Sequence, residues 1–173
     1  RFVIMNMEDY ERIELADSDF ELADRWILHR LSVTNREVTR LLEQYELGEA
    51  ARTLYDFIWD DFCDWYVELA KPRLYRPEKP RERKVAQNIL LMVLKDTLKM
   101  LHPFMPFITE EIFQHLPEAT ESIMIEPWPE NDRFYMPQAE EDMRLLIQVI
   151  RAIRNIRNEF NIPPGMLIPV QIV

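Results

Sequence analysis

Glycine is almost absent from this chain, and its scarcity constrains the fold more than any other feature. Only Gly48 and Gly165 occur among 173 residues. Phosphate-binding P-loops and the turns of dinucleotide-binding folds need several glycines at fixed spacing, so neither can form here. Tight β-hairpin turns also depend on glycine. The sequence therefore predicts a helical protein without a glycine-rich nucleotide-binding loop.

The remaining composition is that of a packed globule. Hydrophobic residues make up 47% of the chain, and a chain of this length can bury about 70% of its unfolded surface. The single cysteine, Cys63, excludes an internal disulfide and fits the reducing cytoplasm, where we expect this protein to work. No apolar run approaches the roughly 18 residues of a membrane span, so no membrane contact is expected. Arg1 opens the chain without a methionine, and we expect both ends to be cuts through a longer protein.

Apolar residues recur at helical spacing in four long segments. Long helices are expected over about residues 18–45, from near Gly48 to 71, over 81–101 and over 139–161, with a shorter one at 108–116. Long helices joined by short links form an antiparallel bundle. The predicted fold is therefore an all-α antiparallel helix bundle over residues 1–165, with its core helices in 18–116. Residues 166–173 (MLIPVQIV) are interpreted as a strand-like extended segment that opens the next part of the protein.

Local signals give the expected helix ends. Ser18 and Glu21 have the spacing of a capping box at the first helix start, and Pro72 is expected to end the second helix. The proline-rich stretch 117–138 is expected to be a loop, in which SIMIE forms a brief extended piece. The predicted inward faces include Tyr45 in the first helix, Leu47 in the second, and Met143, Leu146, Ile150, Ile153 and Phe160 in the last.

The bundle is expected to have two well-separated ends, because a helix of about 24 residues is roughly 36 Å long. We define the proximal end as the turns at 45–48 and 102–106. The distal end then gathers residues 1–5, 20–26 and 71–84.

The distal end contains a basic segment, although the chain as a whole is acidic. A formal net charge of −10 argues against a dedicated nucleic-acid binder, which usually carries a basic face. Residues 71–84, however, contain seven basic residues against Glu78 and Glu82, with Tyr75 among them. A cationic segment with an aromatic can hold a phosphate backbone and stack a base. The alternative is a solvated surface loop.

The same end carries further candidates for contact with RNA. RNA loops are bound by stacking of bases on aromatic rings and by hydrogen bonds to their edges. Phe2 and Trp26 are the aromatic candidates, although both can equally be core residues. The candidate RNA-binding residues of the distal end are Arg1, Phe2, Asn6, Arg25, Trp26, Lys71, Arg73, Tyr75 and Arg81.

The last helix offers a second set of cations. Arg144, Arg151, Arg154 and Arg157 lie on one side of it, within about 140° at 100° per residue. Arg151, Arg154 and Arg157 are candidate contacts for an RNA backbone. The alternative is ion pairing with the acidic helices.

Enzyme-like constellations are weak. Cys63 and one of His29, His102 and His115 could in principle form a thiol–imidazole nucleophile. Cys63, however, lies in an aromatic helical segment, where a buried structural role is usual. His29 is expected near the exposed side of its helix. Asp60, Asp61 and Asp64 are interpreted as a solvated acidic face, because neighbouring helical positions point about 100° apart. We expect no catalytic residue and no metal site.

Six segments of the chain resemble valyl-tRNA synthetases, in the order that this family shows. They cover nearly the whole sequence: RFVIMN (1–6), LADRWILHRL (22–31), LYDFIWDDFCDWYVELAKPRLY (54–75), LHPFMPFITEEIFQHLP (101–117), SIMIEPWPE (122–130) and IRNIRNEFNIPPG (153–165). The related isoleucyl and leucyl enzymes share the helix layout and versions of the LHPFMPFITEEI segment. The 62–74 and 154–165 stretches resemble the valyl enzymes specifically.

The resemblance implies the anticodon-binding bundle of a class I aminoacyl-tRNA synthetase. The parent protein would be a monomeric valine–tRNA ligase that uses ATP and Mg. The catalytic domain, the editing domain and the coiled-coil arm of such a ligase are absent here, so this chain is expected to be non-catalytic and without a cofactor. In the family the far end of the bundle meets the anticodon stem-loop of valine tRNA. The LHPFMPF turn is expected to contact the catalytic domain of the same polypeptide. The alternative is a helical scaffold that docks the other domains with little direct base readout.

Overall fold

Long helices make up most of the structure, a computed structural model that describes residues 1–76, 78–129, 134–163, 165–169 and 171. No β-strand occurs among these residues, and the expected all-α bundle is confirmed. The helices are α1 (Phe2–Met5), α2 (Leu22–Glu43), α3 (Leu47–Asp56), a π-helical segment (Phe57–Tyr66), α4 (Val67–Leu74), α5 (Pro80–Leu101), α6 (Pro106–Gln114) and α7 (Pro137–Glu159), with 3₁₀ turns at Asp17–Asp19 and Ile123–Ile125.

Three of these helices begin at a proline, and α2 begins at an acidic cap. Pro80, Pro106 and Pro137 occupy first helical positions, where a missing N–H costs nothing. The predicted Ser18–Glu21 capping box is wrong. Residues 17–19 form a separate 3₁₀ turn, and α2 starts at Leu22, where the Asp24 carboxylate accepts the backbone N–H of Glu21 at 3.0 Å.

The second predicted helix continues past the proline that was expected to end it. α3, the π-helical segment and α4 run on without a break, because the backbone is right-handed helical at both junctions. Pro72 lies inside α4, and the helix ends at Leu74. Arg73 and Leu74 are both buried, and their packing offsets the hydrogen bond that Pro72 removes. The π-helical turns also shift the inward face, which holds Phe57, Phe62, Trp65 and Tyr66, while Leu47 is exposed.

α5 lies at the centre of the core and packs against α2, α3, α4 and α6. Ile89, Leu90 and Val93 on α5 face Ile27, Leu28 and Val38 on α2, and all six are fully buried. Burial of each such side chain contributes about 1.5–3 kcal/mol. The four-helix centre therefore supplies the rigid support for both ends of the bundle.

α7 lies on the outside and packs mainly against α2. Only Ala139 and Met143 on it are buried. The predicted inward positions Leu146 and Phe160 are wrong, since Phe160 is 69% exposed, and Tyr45 at the end of α2 is exposed as well. One partner helix covers only a narrow stripe, so the rest of the apolar side of α7 stays open.

The loop and tail predictions have mixed outcomes. SIMIE is not extended, because Ile123–Ile125 winds into a 3₁₀ turn that Ser122 caps through the N–H of Met124. In the tail, residues 165–169 and 171 form no strand. Residues 170, 172 and 173 lie outside the described part, as do 130–133 in the proline-rich loop, so the strand-like segment at 166–173 stays a prediction.

A buried ion pair joins the start of α2 to the end of α4. Both Asp24 and Arg73 are buried, and the guanidinium donates to the two carboxylate oxygens at 2.5 and 2.7 Å. The Tyr66 hydroxyl donates to Asp24 at 2.8 Å. Burial and the Asp24 charge raise the pKa of Tyr66 well above its usual value. Burial by itself lowers the pKa of Arg73, but the hydrogen bonds and charge of Asp24 raise it overall.

We expect Asp24→Ala to lower the free energy of unfolding by about 3–5 kcal/mol, because the buried Arg73 charge loses both short hydrogen bonds and keeps only the 3.7 Å contact with Glu21. Urea denaturation followed by circular dichroism measures the change. Glu37→Ala is the matched control. Glu37 lies on the same helix and accepts two hydrogen bonds from Arg40, but this pair is exposed to solvent. That control should hardly move the midpoint. Equal shifts in the two variants would show that burial of the Asp24 pair adds nothing.

Candidate nucleic-acid interface

The structure brings the three distal segments together. Arg73 of α4 meets Asp24 of α2, and Arg81 at the start of α5 meets Asp19 just before α2. The Lys71 ammonium lies 5.7 Å from the centre of the Phe2 ring, which adds α1 to the same end. Because α2 and α5 both start here and each has 22 residues, their far ends lie about 33 Å away.

Three of the seven cations in the basic segment are paired with carboxylates of the acidic loop 7–19. Arg81 makes two hydrogen bonds to Asp19 at 2.9 and 2.7 Å, and Arg83 makes two to Asp9 at the same distances. Lys84 pairs with Glu11. These pairs could not be predicted from the sequence, because the partners lie 62 to 74 residues apart in the chain. The segment therefore displays far less positive charge than its composition predicts.

Few cations at this end remain free to meet a phosphate. Arg73 is buried with Asp24, Lys79 pairs with Glu82, and Lys71 pairs with Glu68. Arg1 and Arg76 are exposed, and neither forms an ion pair with a carboxylate in the part of the chain that the structure describes. These two arginines are the cations best placed for an RNA backbone.

The aromatic candidates differ in what they can offer. Tyr75 is 63% exposed at the end of α4, where a base can reach its ring. Phe2 is half-buried beneath Lys71. Trp26 does not present an aromatic face, because only 3% of it is exposed and its ring packs in the core.

The polar candidates Asn6 and Arg25 are used to hold the backbone of this end. The buried side-chain amide of Asn6 donates to the backbone carbonyl of Phe2 at 2.9 Å. The backbone carbonyl of Asn6 accepts a hydrogen bond from the Gln87 side chain at 2.8 Å. The Arg25 guanidinium donates to the carbonyls of Phe20 at 3.3 Å and Asp17 at 2.7 Å. Both side chains therefore shape the surface, and only Arg25 is partly open to solvent.

Ion pairing with the acidic helices was the alternative to RNA contact for the arginines of α7. Arg151 and Arg154 do not form such pairs within the described residues. The Arg151 and Arg154 guanidinium carbons lie 5.7 and 5.5 Å from the centre of the Trp65 ring, and neither is paired with a described carboxylate. Arg157 instead donates to the carbonyls of Pro163 and, at 3.1 Å, Met166. Arg157 thereby ties the tail back to the helix.

The cysteine and histidines do not form a nucleophilic centre. Burial raises the pKa of the Cys63 thiol, which disfavours the thiolate. His29 is buried and not near the exposed side: its Nδ1 accepts the Met136 N–H at 3.1 Å, and Nε2 lies 3.0 Å from Glu140. The His102 Nδ1 lies 2.7 Å from the Thr109 hydroxyl. None of these contacts joins an imidazole to the thiol.

The aspartates of the π-helical segment are not uniformly solvated. Asp61 accepts a hydrogen bond from Arg30 at 2.8 Å, and Arg30 also donates to Glu140 at 3.0 Å. Burial raises the pKa of Asp61, although the charge of Arg30 opposes the rise. Within the described ranges, no three His, Cys, Asp or Glu side chains are grouped as metal ligands. No helix there combines the length and apolar composition that a bilayer-crossing segment requires.

Asp9 should titrate at an unusually low pH. The hydrogen bonds from Arg83 lower its pKa from 3.8 to about 2, against the opposing effect of burial. The Asp9–Arg83 pair therefore stabilises the fold fully above pH 3.8 and loses that contribution as the pH falls through about 2. A carboxyl-carbon NMR titration should place the Asp9 midpoint near 2, and Arg83→Gln should move it up toward 3.8. An unchanged midpoint in that variant would contradict the assigned cause.

Comparison with known proteins finds close relatives over the whole chain. The model of the family described as anticodon-binding domain of tRNA ligase matches residues 24–172. A valine–tRNA ligase of Carboxydothermus hydrogenoformans is 53% identical over 166 residues, which cover 95% of this chain and 19% of that protein. A valine–tRNA ligase of Thermotoga maritima is 48% identical over 173 residues, covering 99% of this chain and 19% of the relative. This chain thus spans about a fifth of the length of the curated relatives it matches.

Proposed function

Because this chain belongs to the anticodon-binding domain family of tRNA ligases, we propose that its distal end binds the anticodon stem-loop of a tRNA. The similar ligases are specific for valine by name, so the tRNA proposed is valine tRNA. The chain itself supplies recognition and no chemistry.

One observation of the structure carries the assignment to the distal end. Three segments that are remote in sequence meet there, and this end exposes one aromatic, Tyr75, and two cations, Arg1 and Arg76. Cations hold the phosphates and fix the register of the RNA, and an open ring stacks an unpaired base. An anticodon loop presents both features to its partner.

The paired cations set the expected strength of binding. Arg81, Arg83 and Lys84 already lie against Asp19, Asp9 and Glu11. Their positive charge is neutralised before a phosphate approaches, so each phosphate contact gains little. Binding by this domain should be weak and should fall with added salt, as counterion release requires.

The parent protein is proposed to be a valine–tRNA ligase. It would activate valine with ATP and Mg in domains outside this chain and would act in the cytoplasm as a monomer. Its remaining four-fifths would supply the rest of the tRNA affinity. The net charge of −10 on this domain supports that division, since an acidic domain attracts RNA poorly by itself.

A second candidate function rests on the proximal end. The α5–α6 turn exposes Met105, Phe107 and Ile108, and Phe107 is 90% exposed. Adjacent exposed apolar side chains mark a protein contact. They favour docking of this end on the catalytic domain. Such docking can accompany RNA binding at the distal end, or the domain can be a scaffold that does not bind RNA. Cross-linking of valine tRNA to a full-length ligase discriminates the two: a scaffold would give no cross-links at 1–26 or 71–84.

Tyr75→Ala should weaken binding to a valine-tRNA anticodon hairpin by about 1–3 kcal/mol, or roughly 5- to 150-fold, because one stacked base loses its platform. Fluorescence anisotropy at low salt measures the dissociation constant. Tyr45→Ala is the matched control, since that tyrosine is at least as exposed but lies at the proximal end. Equal losses in both variants, or none in either, would place the base contact elsewhere.

A further inference from the structure

A cleft lies between α2, the π-helical segment and α7. Its volume is about 310 Å³, near the roughly 300 Å³ lower limit of small-molecule pockets. Trp26 and Arg30 contribute from α2, Trp65 from the π-helical segment, and Gln148 and Arg151 from α7. None of the exposed distal residues Arg1, Tyr75 and Arg76 lines it, so this cleft is separate from the distal surface.

Trp65 and Arg151 form one wall of the cleft, and Arg154 lies beside that wall. The guanidinium carbons of Arg151 and Arg154 lie 5.7 and 5.5 Å from the centre of the Trp65 ring, and Trp65 itself is buried. Both arginines are exposed, so solvent reaches them on the side away from the indole. An exposed guanidinium can stack on a further planar group, such as a nucleobase.

The rim of the cleft offers hydrogen-bonding groups of both kinds. Asp60, Arg144 and Gln148 line it, and all three are exposed. A carboxylate accepts, a guanidinium donates, and an amide does both, which suits the mixed edge of a base. The deeper Arg30 does not compete for the ligand, because Asp61 and Glu140 already bind it at 2.8 and 3.0 Å.

We propose that this cleft binds one unpaired nucleotide of RNA, with its base stacked on Arg151 and its phosphate held by Arg154. The inference rests on the proposed function and deepens it. Tyr75 follows Trp65 by ten residues, about 15 Å along the helix, so one RNA loop can reach both the cleft and Tyr75.

The arginine pair is not needed to attach α7. Burial of Ala139 and Met143 and the Glu140 contacts to Arg30 and His29 already fasten the first half of the helix to α2. Arg151 and Arg154 lie three turns farther on, where an exposed cation–π contact adds little. Their exposed stack is therefore better explained as a ligand platform.

The test uses a valine-tRNA anticodon hairpin and a series in which one loop base at a time is removed, leaving its sugar and phosphate. With the wild-type chain, one such removal should weaken binding by about 10-fold through loss of the base on Arg151. Arg151→Lys keeps the charge but loses the flat guanidinium. It should bind the intact hairpin about 10-fold more weakly and tolerate that same removal without further loss.

Two controls separate stacking from charge. Arg154→Gln should weaken binding to every hairpin alike and flatten its salt dependence. Arg52→Gln, which removes an exposed charge on α3, should leave the base-removal profile intact. Circular dichroism and thermal melting establish that all variants keep the helical fold.

The outcomes separate the two proposals. If the wild-type chain binds the hairpin more tightly than a duplex, but Arg151→Lys shows the wild-type profile of base removals, the cleft does not hold a base and only this inference fails. If the chain binds the hairpin no better than a duplex, anticodon-loop binding fails, and the cleft proposal fails with it.

Discussion

The buried contact between Asp24 and Arg73 fixes the end of the bundle on which everything else depends. It joins the first turn of α2 to the last turn of α4, and Tyr66 adds the π-helical segment to the same carboxylate. A charge pair removed from water stabilises only when its geometry is satisfied, so it permits one register between these helices. Arg73 follows Pro72, and the pair therefore also explains why the helix persists beyond a residue that usually ends one.

At the distal end, carboxylates of the acidic loop neutralise several cations of the basic segment. The acidic loop folds over the start of α5 and places Asp9, Glu11 and Asp19 on three of its cations. An acidic protein can in this way keep a basic segment ordered without presenting a strongly attractive field. The exposed remainder is Tyr75 with Arg1 and Arg76, which we propose as the contact for an RNA loop. The cleft beside Trp65 would extend the same RNA path along the bundle.

Much of this site could be predicted from the sequence, and the reasons for the failures are specific. Helical periodicity and chain direction placed residues 1–5, 20–26 and 71–84 at one end, and the structure brings them together. Exposure could not be predicted for Trp26 and Arg73, because apolar and charged side chains near a helix end can face either way. Their burial follows from the partners that the neighbouring helices supply. The Arg151–Trp65 stack was missed because it joins two helices 86 residues apart.

The sequence by itself determined the fold class, the helix order and the family. Scarce glycine, prolines at helix starts and apolar spacing are local properties, and they act wherever the chain lies in space. Only the tertiary structure decided which charges are neutralised, where the second helix ends and which apolar positions of α7 remain open. Those outcomes depend on contacts between residues 49 to 111 positions apart, from Asp24 with Arg73 to His29 with Glu140. No local pattern encodes such a pairing, because it exists only when packing of the core has set the register of the helices.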